Sequence, residues 1–76
     1  MRVVKEIPHS ECRITIFWWN QKYLIKLEKG PFEQTFKVSE MDVLEDEIEG
    51  ILTEQFVSEA LQRFDEMFAS LSRNMP

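Results

Sequence analysis

Cysteine, histidine and glycine are scarce in this sequence, and each scarcity excludes a class of structure. The chain has one cysteine, Cys12, and one histidine, His9, among 76 residues. A single cysteine excludes an internal disulfide, and the two residues together fall short of the four ligands of a structural zinc site. Gly30 and Gly50 are the only glycines, so the glycine-rich loops that bind phosphate are absent. We therefore expect neither a metal nor a cofactor.

Long hydrophobic runs are also missing. No stretch reaches the roughly 20 apolar residues with which a helix crosses a bilayer. Residues 1–6 lack the apolar segment of a secretion signal, and a lone cysteine is typical of a reducing compartment. These features predict a cytoplasmic protein with no membrane partner.

The length of the chain suits one small domain, residues 1–76. Its residues are 43% hydrophobic and 30% charged, which is ordinary for a globular protein. A domain of this size buries only about 60% of the surface that its unfolded chain exposes. Small domains commonly gain stability from disulfides, metals or association. With the first two excluded, we expect association.

Charge is divided unevenly between the two halves of the chain. Residues 1–38 carry seven Lys and Arg against four Asp and Glu, whereas residues 39–76 carry two against ten. The net charge is −5. This division predicts a dipolar molecule. In one interpretation, the charges keep the protein soluble and the two halves pack against each other. In the other, a basic sheet face binds an anion, and the acidic opposite side of the molecule limits non-specific binding.

Segments rich in β-branched and aromatic residues predict four strands. The strands lie at about residues 3–7, 11–19, 22–29 and 32–38. Pro8 ends the first strand because proline cannot donate a ladder hydrogen bond. Asn20-Gln21 and Gly30-Pro31 predict two-residue turns, the second of type II′ because Gly suits its first central position. The result is an antiparallel β-meander.

The two predicted turns impose one consistent register on the sheet. The first turn sets Ile16 opposite Ile25, and the second sets Ile25 opposite Phe36. Because successive side chains of a strand point to opposite faces, both turns collect apolar residues on the same face. This apolar face holds Cys12, Ile14, Ile16, Trp18, Tyr23, Ile25, Leu27, Phe36 and Val38.

After Ser39 the spacing of apolar residues changes. Residues 43–50 predict a short connector helix, or a connector rich in turns, that ends near Gly50. Residues 54–72 predict a long helix capped by Thr53. Apolar residues of the long helix fall within an arc of about 140°. They are Phe56, Val57, Ala60, Leu61, Phe64, Met67, Phe68 and Leu71. Such a broad stripe favours either a concave sheet around it or a second helix at its edge.

The predicted fold class is therefore α+β. A four-stranded antiparallel β-meander is followed by a short connector helix and one long C-terminal amphipathic helix, which packs on one sheet face.

Phe17-Trp18-Trp19 is the most informative stretch of the chain. Neighbours in a strand point to opposite faces, so Trp18 and Trp19 cannot enter one core. Trp18 belongs to the apolar face, which leaves Phe17 and Trp19 on the opposite side, the far face. Here the sequence predicts a candidate interaction surface, an aromatic cluster ringed by cations. Its members are Arg13, Phe17, Trp19, Lys22, Leu24, Lys26 and Lys37.

No arrangement of residues predicts catalysis. His9 and Cys12 have a spacing that a metal site could use, but a surface histidine and a buried cysteine account better for them. The acidic residues between 45 and 49 lack the spacing of a calcium-binding loop and suit a solvated helix face. Ser10 beside His9 does not build a triad. We expect a protein that is not an enzyme.

The order of the elements, with Phe17, Trp19, Lys22, Lys26 and Lys37, resembles the β4-α unit of three families. These are the Whirly proteins, the Pur repeats and the eukaryotic transcriptional positive cofactor. The resemblance covers about residues 3–71 and rests on topology, without a shared motif. It implies a dimer that binds single-stranded nucleic acid through a sheet surface.

Three interpretations of the far face follow. It could join two copies of the chain, it could be covered by the connector at residues 40–52, or it could bind single-stranded DNA or RNA by base stacking and phosphate contacts. The first gives the principal hypothesis, a non-enzymatic interaction module that is homodimeric through the far face. The alternative is a single-stranded DNA- or RNA-binding protein, and another protein is a further candidate partner.

Overall fold

The computed structural model describes all 76 residues, Met1–Pro76, and has the α+β architecture that the sequence predicts. One antiparallel sheet has the strand order β1-β2-β3-β4. A 3₁₀ helix and one α-helix follow it. The elements are β1 (Arg2–Ile7), β2 (Arg13–Trp19), β3 (Lys22–Lys29), β4 (Phe32–Ser39), the 3₁₀ helix (Ile48–Ile51) and α1 (Glu54–Asn74).

The pairing of β2, β3 and β4 confirms the predicted register. Ile16 lies opposite Ile25, and Ile25 lies opposite Phe36. Both turn predictions are consistent with the backbone, because Asn20 and Gln21 have φ angles of 53° and 60° and the φ of Gly30 is 60°. Positive φ at both central positions is the mark of a type I′ turn. The assignment of side chains to the two faces of these strands follows from this register.

Gln21 occupies the strained position of the first turn. The left-handed backbone there is disfavoured for side chains with a Cβ and suits glycine. The Gln21 carbonyl accepts a hydrogen bond from the Glu40 amide at 3.1 Å, which holds the turn in place. We expect Gln21→Gly to raise the free energy of unfolding by about 1 kcal/mol in urea titrations. Gln21→Ala is the control, since it removes the same polar group but keeps the strain. Equal stability of the two variants would contradict the strain argument.

Strand β1 completes the sheet within the same chain but departs from strict alternation. Ile7 lies opposite Ile14, whereas Val3 lies opposite Phe17 because the register shifts between Val3 and Lys5. This β-bulge turns Val4 toward the core and Val3 toward the far face. Bulges of this kind also protect an edge strand from pairing with other chains.

A single core lies between the apolar face and α1. The sheet contributes most of it, and the connector and helix supply the rest. Its buried members are Ile14, Ile16, Tyr23, Ile25, Leu27, Ile48, Val57, Ala60 and Phe64. Gln34 of β4 links the sheet to α1 through two hydrogen bonds. Its Nε2 donates to the Ala60 carbonyl and its Oε1 accepts from Arg63 Nε, both at 2.8 Å.

Helix α1 begins where the sequence predicts. Thr53 Oγ1 accepts a hydrogen bond from the Phe56 amide at 3.1 Å and so caps the first turn. The ring of Phe56 packs on Phe36 of β4 with a centroid distance of 5.0 Å. Although α1 is long, it is not apolar enough to cross a membrane.

The last turns of α1 extend past the sheet. Phe68 is 63% exposed, and its ring meets that of Phe32 edge-on at 6.5 Å between centroids. Leu71 is exposed, and the helix continues to Asn74, beyond the expected end near residue 72. The broad apolar stripe is thus covered as far as Met67, whereas Phe68 and Leu71 at its end are exposed to solvent.

The connector between β4 and α1 is rich in turns. Its only helical part is the 3₁₀ helix Ile48–Ile51, whereas the sequence predicts a short helix over about residues 43–50. Ile48 is 1% exposed and belongs to the core. One buried side chain therefore anchors a segment that has little regular structure.

Two ion pairs show on which side of the sheet the connector lies. Glu45 pairs with Arg2 at 2.8 Å, and Glu49 pairs with Lys5 at 2.7 Å. Arg2 lies opposite Trp18 in the β1–β2 ladder, so it stands on the apolar face. The connector shares that side with α1. The interpretation in which it covers the far face is wrong.

Candidate interaction surface

Trp18 and Trp19 lie on opposite faces of the sheet, as predicted. Trp18 packs against the core, and its Nε1 donates a hydrogen bond to Glu40 Oε2 at 2.8 Å. The guanidinium of Arg2 lies 6.0 Å from the centroid of the Trp18 ring. Trp19 is 50% exposed and lies opposite Lys22 on the far face. Trp18 therefore contributes to the packing of the domain, whereas Trp19 is accessible to a partner.

The seven residues of the candidate interaction surface differ in how much of each is accessible. Arg13, Trp19 and Lys37 are exposed, while Phe17, Lys22 and Lys26 are half-buried. Leu24 is 8% exposed, because it lies beneath its neighbours. It supports the surface and adds little contact area of its own.

The bulge in β1 adds apolar area that the sequence did not predict. Strict alternation from Ile7 would set Val3 on the apolar face, but the register shift sets it beside Phe17, where it is 58% exposed. Met1 also reaches this face. It borders a shallow hollow of about 210 Å³ with Phe17, Leu24, Lys26, Glu33 and Thr35. The apolar patch therefore spans β1, β2 and β3.

Acidic residues neutralise part of the basic character of the far face. Arg13 Nε lies 3.0 Å from an oxygen of Glu6, and Lys26 Nζ lies 3.3 Å from Glu33. Strand alternation places Glu28 on this face as well, beside Arg13 in the ladder. The surface is thus mixed in charge rather than uniformly basic.

The unpaired charges of the far face separate along the strands. At one end, Lys22 lies opposite Trp19, Lys37 lies diagonally from Lys22 on β4, and neither lysine takes part in an ion pair. We call this the basic end. At the other end, Glu28 lies directly opposite Glu33, and Glu6 and Arg13 lie nearby. We call this the acidic end.

Cys12 and His9 border an open hollow of about 430 Å³ at the β1–β2 loop. His9 Nδ1 accepts a hydrogen bond from the Glu11 amide at 3.1 Å, which shapes the loop. No group of three or more His, Cys, Asp or Glu side chains in the structure is arranged so that it could hold a metal ion. Burial raises the pKa of the Cys12 thiol, Glu11 adds to the rise, and Lys29 opposes it.

The raised pKa of Cys12 predicts slow thiol chemistry. The thiolate is the reactive form, so its smaller population at pH 8 should slow disulfide exchange with an aromatic disulfide reagent. We expect the folded protein to react several-fold more slowly than the same protein in urea, as followed by absorbance. Equal rates in the two states would show that the fold does not shield the thiol.

The architecture agrees with the β4-α families only in its element order, a four-stranded meander followed by a C-terminal helix. No protein-family model, curated protein or solved structure matches the chain.

Proposed function

We propose that this protein is a non-enzymatic interaction module that self-associates through its far face. The observation that carries the proposal is a sheet face on which neither α1 nor the connector lies. Three of its apolar side chains stay accessible, with Met1 at 74%, Val3 at 58% and Trp19 at 50% exposure. Contiguous exposed apolar surface is typical of interaction sites, and aromatic residues are enriched in interfaces.

A second copy of the chain is the partner that this surface suits best. Two sheets that face each other pack about 10 Å apart and enclose a shared core. That arrangement would cover Phe17, Val3 and Trp19 together, while the stems of Lys22 and Lys37 lie along the margin. The dimer would also bury the second face of the sheet. This added burial would stabilise a domain that is too small to bury much surface alone.

Multi-angle light scattering over a wide dilution series tests self-association. We expect a mass of twice 9.1 kDa at high concentration and a fall toward 9.1 kDa on dilution. Trp19→Lys should stay monomeric at every concentration, because it sets a charge in the buried layer, and its fold should be unchanged by circular dichroism. Met41→Lys is the matched control, since Met41 is 92% exposed on the connector. A 9.1 kDa mass for the unaltered protein throughout would refute the proposal.

Binding of single-stranded DNA or RNA is the second candidate function. Lys22 and Lys37 support it, because neither is paired with an acid and Lys22 lies opposite Trp19, whose ring is half-exposed. Bases stack on such rings while phosphates contact lysines. The acids of the far face and the net charge of −5 oppose the approach of phosphates, which places this function second.

Fluorescence titration with oligonucleotides tests this second candidate. We expect a base stacked on Trp19 to quench its emission, and salt to weaken binding with a log–log slope that reports the phosphates engaged. The double variant Lys22→Ala and Lys37→Ala keeps the indole and should lose most of the affinity. Unchanged emission at low salt would exclude nucleic-acid binding through this face.

A further inference from the structure

We infer that the far-face dimer forms about a two-fold axis that lies across the strands, so that the basic end of each copy meets the acidic end of the other. This inference rests on the self-association proposed above and specifies its geometry. The charges of the far face carry it.

The acidic end has more negative charge than its own cations neutralise. Glu28 and Glu33 are direct partners in the β3–β4 ladder, and like charges in that position repel. Lys26 pairs with Glu33, and Arg13 pairs with Glu6. Glu28 takes part in no ion pair. A cation from outside the chain would relieve this repulsion.

The basic end has positive charge that no acid of the chain neutralises. Lys22 lies opposite Ser39, and Lys37 lies opposite Leu24, so the two lysines are close on neighbouring strands. The nearby carboxylate of Glu40 is bonded to Trp18 on the apolar face. No acid of the far face lies at this end, so the two lysines lack a counter-charge within the chain.

When the strands of the two sheets are aligned, the two-fold axis runs either along the strands or across them, and the charges distinguish these two arrangements. An axis parallel to the strands would set basic end on basic end. An axis across the strands reverses their direction, so Lys22 of one copy meets Glu28 of the second copy. Trp19 then meets Arg13 of the second copy, a pairing of a ring with a guanidinium. Each contact occurs twice, as a two-fold axis requires.

Lys37 on β4 supports the same orientation of the two copies. The reversed strand of the second copy brings its Glu33 toward Lys37, within reach of two long side chains. Exposed ion pairs add little affinity, but like charges forced together cost much more. The charged ends therefore select the orientation, while the apolar patch supplies the contact area.

A charge-swap experiment tests the orientation. Lys22→Glu alone and Glu28→Lys alone each set like charges against each other twice per dimer, and we expect the dissociation constant to rise at least tenfold. In an equimolar mixture of the two variants, both cross-pairs again join opposite charges, so a heterodimer of near-native affinity should form. A chain that carries both substitutions should homodimerise like the unaltered protein, which also serves as the control for folding.

The outcomes separate the orientation from self-association itself. A dimer of the unaltered protein that Trp19→Lys disrupts, but that neither charge variant weakens, would overturn the orientation alone. Weakened single variants whose mixture does not recover would overturn it as well. A monomer under all conditions would remove the underlying dimer. Sedimentation velocity, with one variant enlarged by a C-terminal fusion, distinguishes the heterodimer from either homodimer.

Discussion

Phe64→Ala is expected to lower the free energy of unfolding by about 3–5 kcal/mol. Phe64 is 2% exposed in the core between α1 and the sheet. Truncation removes the transfer free energy of the ring and leaves a cavity that a close-packed core fills only in part. A domain of 76 residues has a total stability of about 4–11 kcal/mol. The variant should therefore lose roughly half of its stability.

Phe68→Ala is the matched control for this experiment. It makes the same substitution one turn later on the same side of α1, where the ring is 63% exposed. We expect a loss below about 1 kcal/mol, mostly from the contact with Phe32. Urea unfolding of both variants at one protein concentration gives the comparison. Similar losses would mean that α1 does not pack through the face that the structure shows.

Ile48→Ala is expected to cost about 3 kcal/mol, within the range for buried isoleucine. This side chain is 1% exposed, although it belongs to a connector composed mostly of turns. The ion pairs of the connector with Arg2 and Lys5 are about half exposed. Such pairs contribute about 0.2–1 kcal/mol each. Ile48, rather than the ion pairs, should hold the connector against the sheet.

Leu44→Ala provides the control for the connector. Leu44 is 65% exposed in the same segment, and its truncation should change stability by less than about 0.5 kcal/mol. We also expect Ile48→Ala to speed native-state proteolysis between β4 and α1, whereas high salt should have little effect on the unaltered protein. An Ile48→Ala variant as stable as Leu44→Ala would show that the connector is not part of the core.

The sheet could be predicted because short turns leave little freedom. Two-residue turns at Asn20-Gln21 and Gly30-Pro31 fix which residues face each other, and alternation then assigns every side chain of β2, β3 and β4 to a face. The start of α1 could also be predicted from the local sequence, since Thr53 supplies the cap. Fold class and strand register are thus properties of short sequence windows in this chain.

The parts that could not be predicted depend on contacts distant in sequence. Val3 and Val4 fit either sheet face equally well, and the bulge that separates them lies beside the connector, where Val4 borders a hollow with Ile48. The side taken by the connector was open because its apolar residues could pack on either face of the sheet, and the burial of Ile48 in the core decided it. Alternation placed Arg13 on the far face but could not show that Glu6, seven residues earlier, would pair with it.

The C-terminal end of α1 also differs from the prediction made from the sequence. No glycine marks a stop near residue 72, and the helix continues until Asn74, whose Nδ2 donates to the Ser70 carbonyl at 2.8 Å. Met75 is extended, as expected for a residue that precedes proline. The end of the helix was set by Pro76, five residues beyond the last apolar residue of the stripe, Leu71.

The position of Met1 determines how the protein should be labelled. Met1 borders the hollow on the far face with Phe17 and Leu24, whereas α1 lies on the opposite side of the sheet. An affinity tag or fluorescent protein fused before Met1 would emerge within the proposed dimer contact and could make an associating protein look monomeric. Fusions after Pro76 leave that face free, so labels for pull-down and imaging experiments belong there.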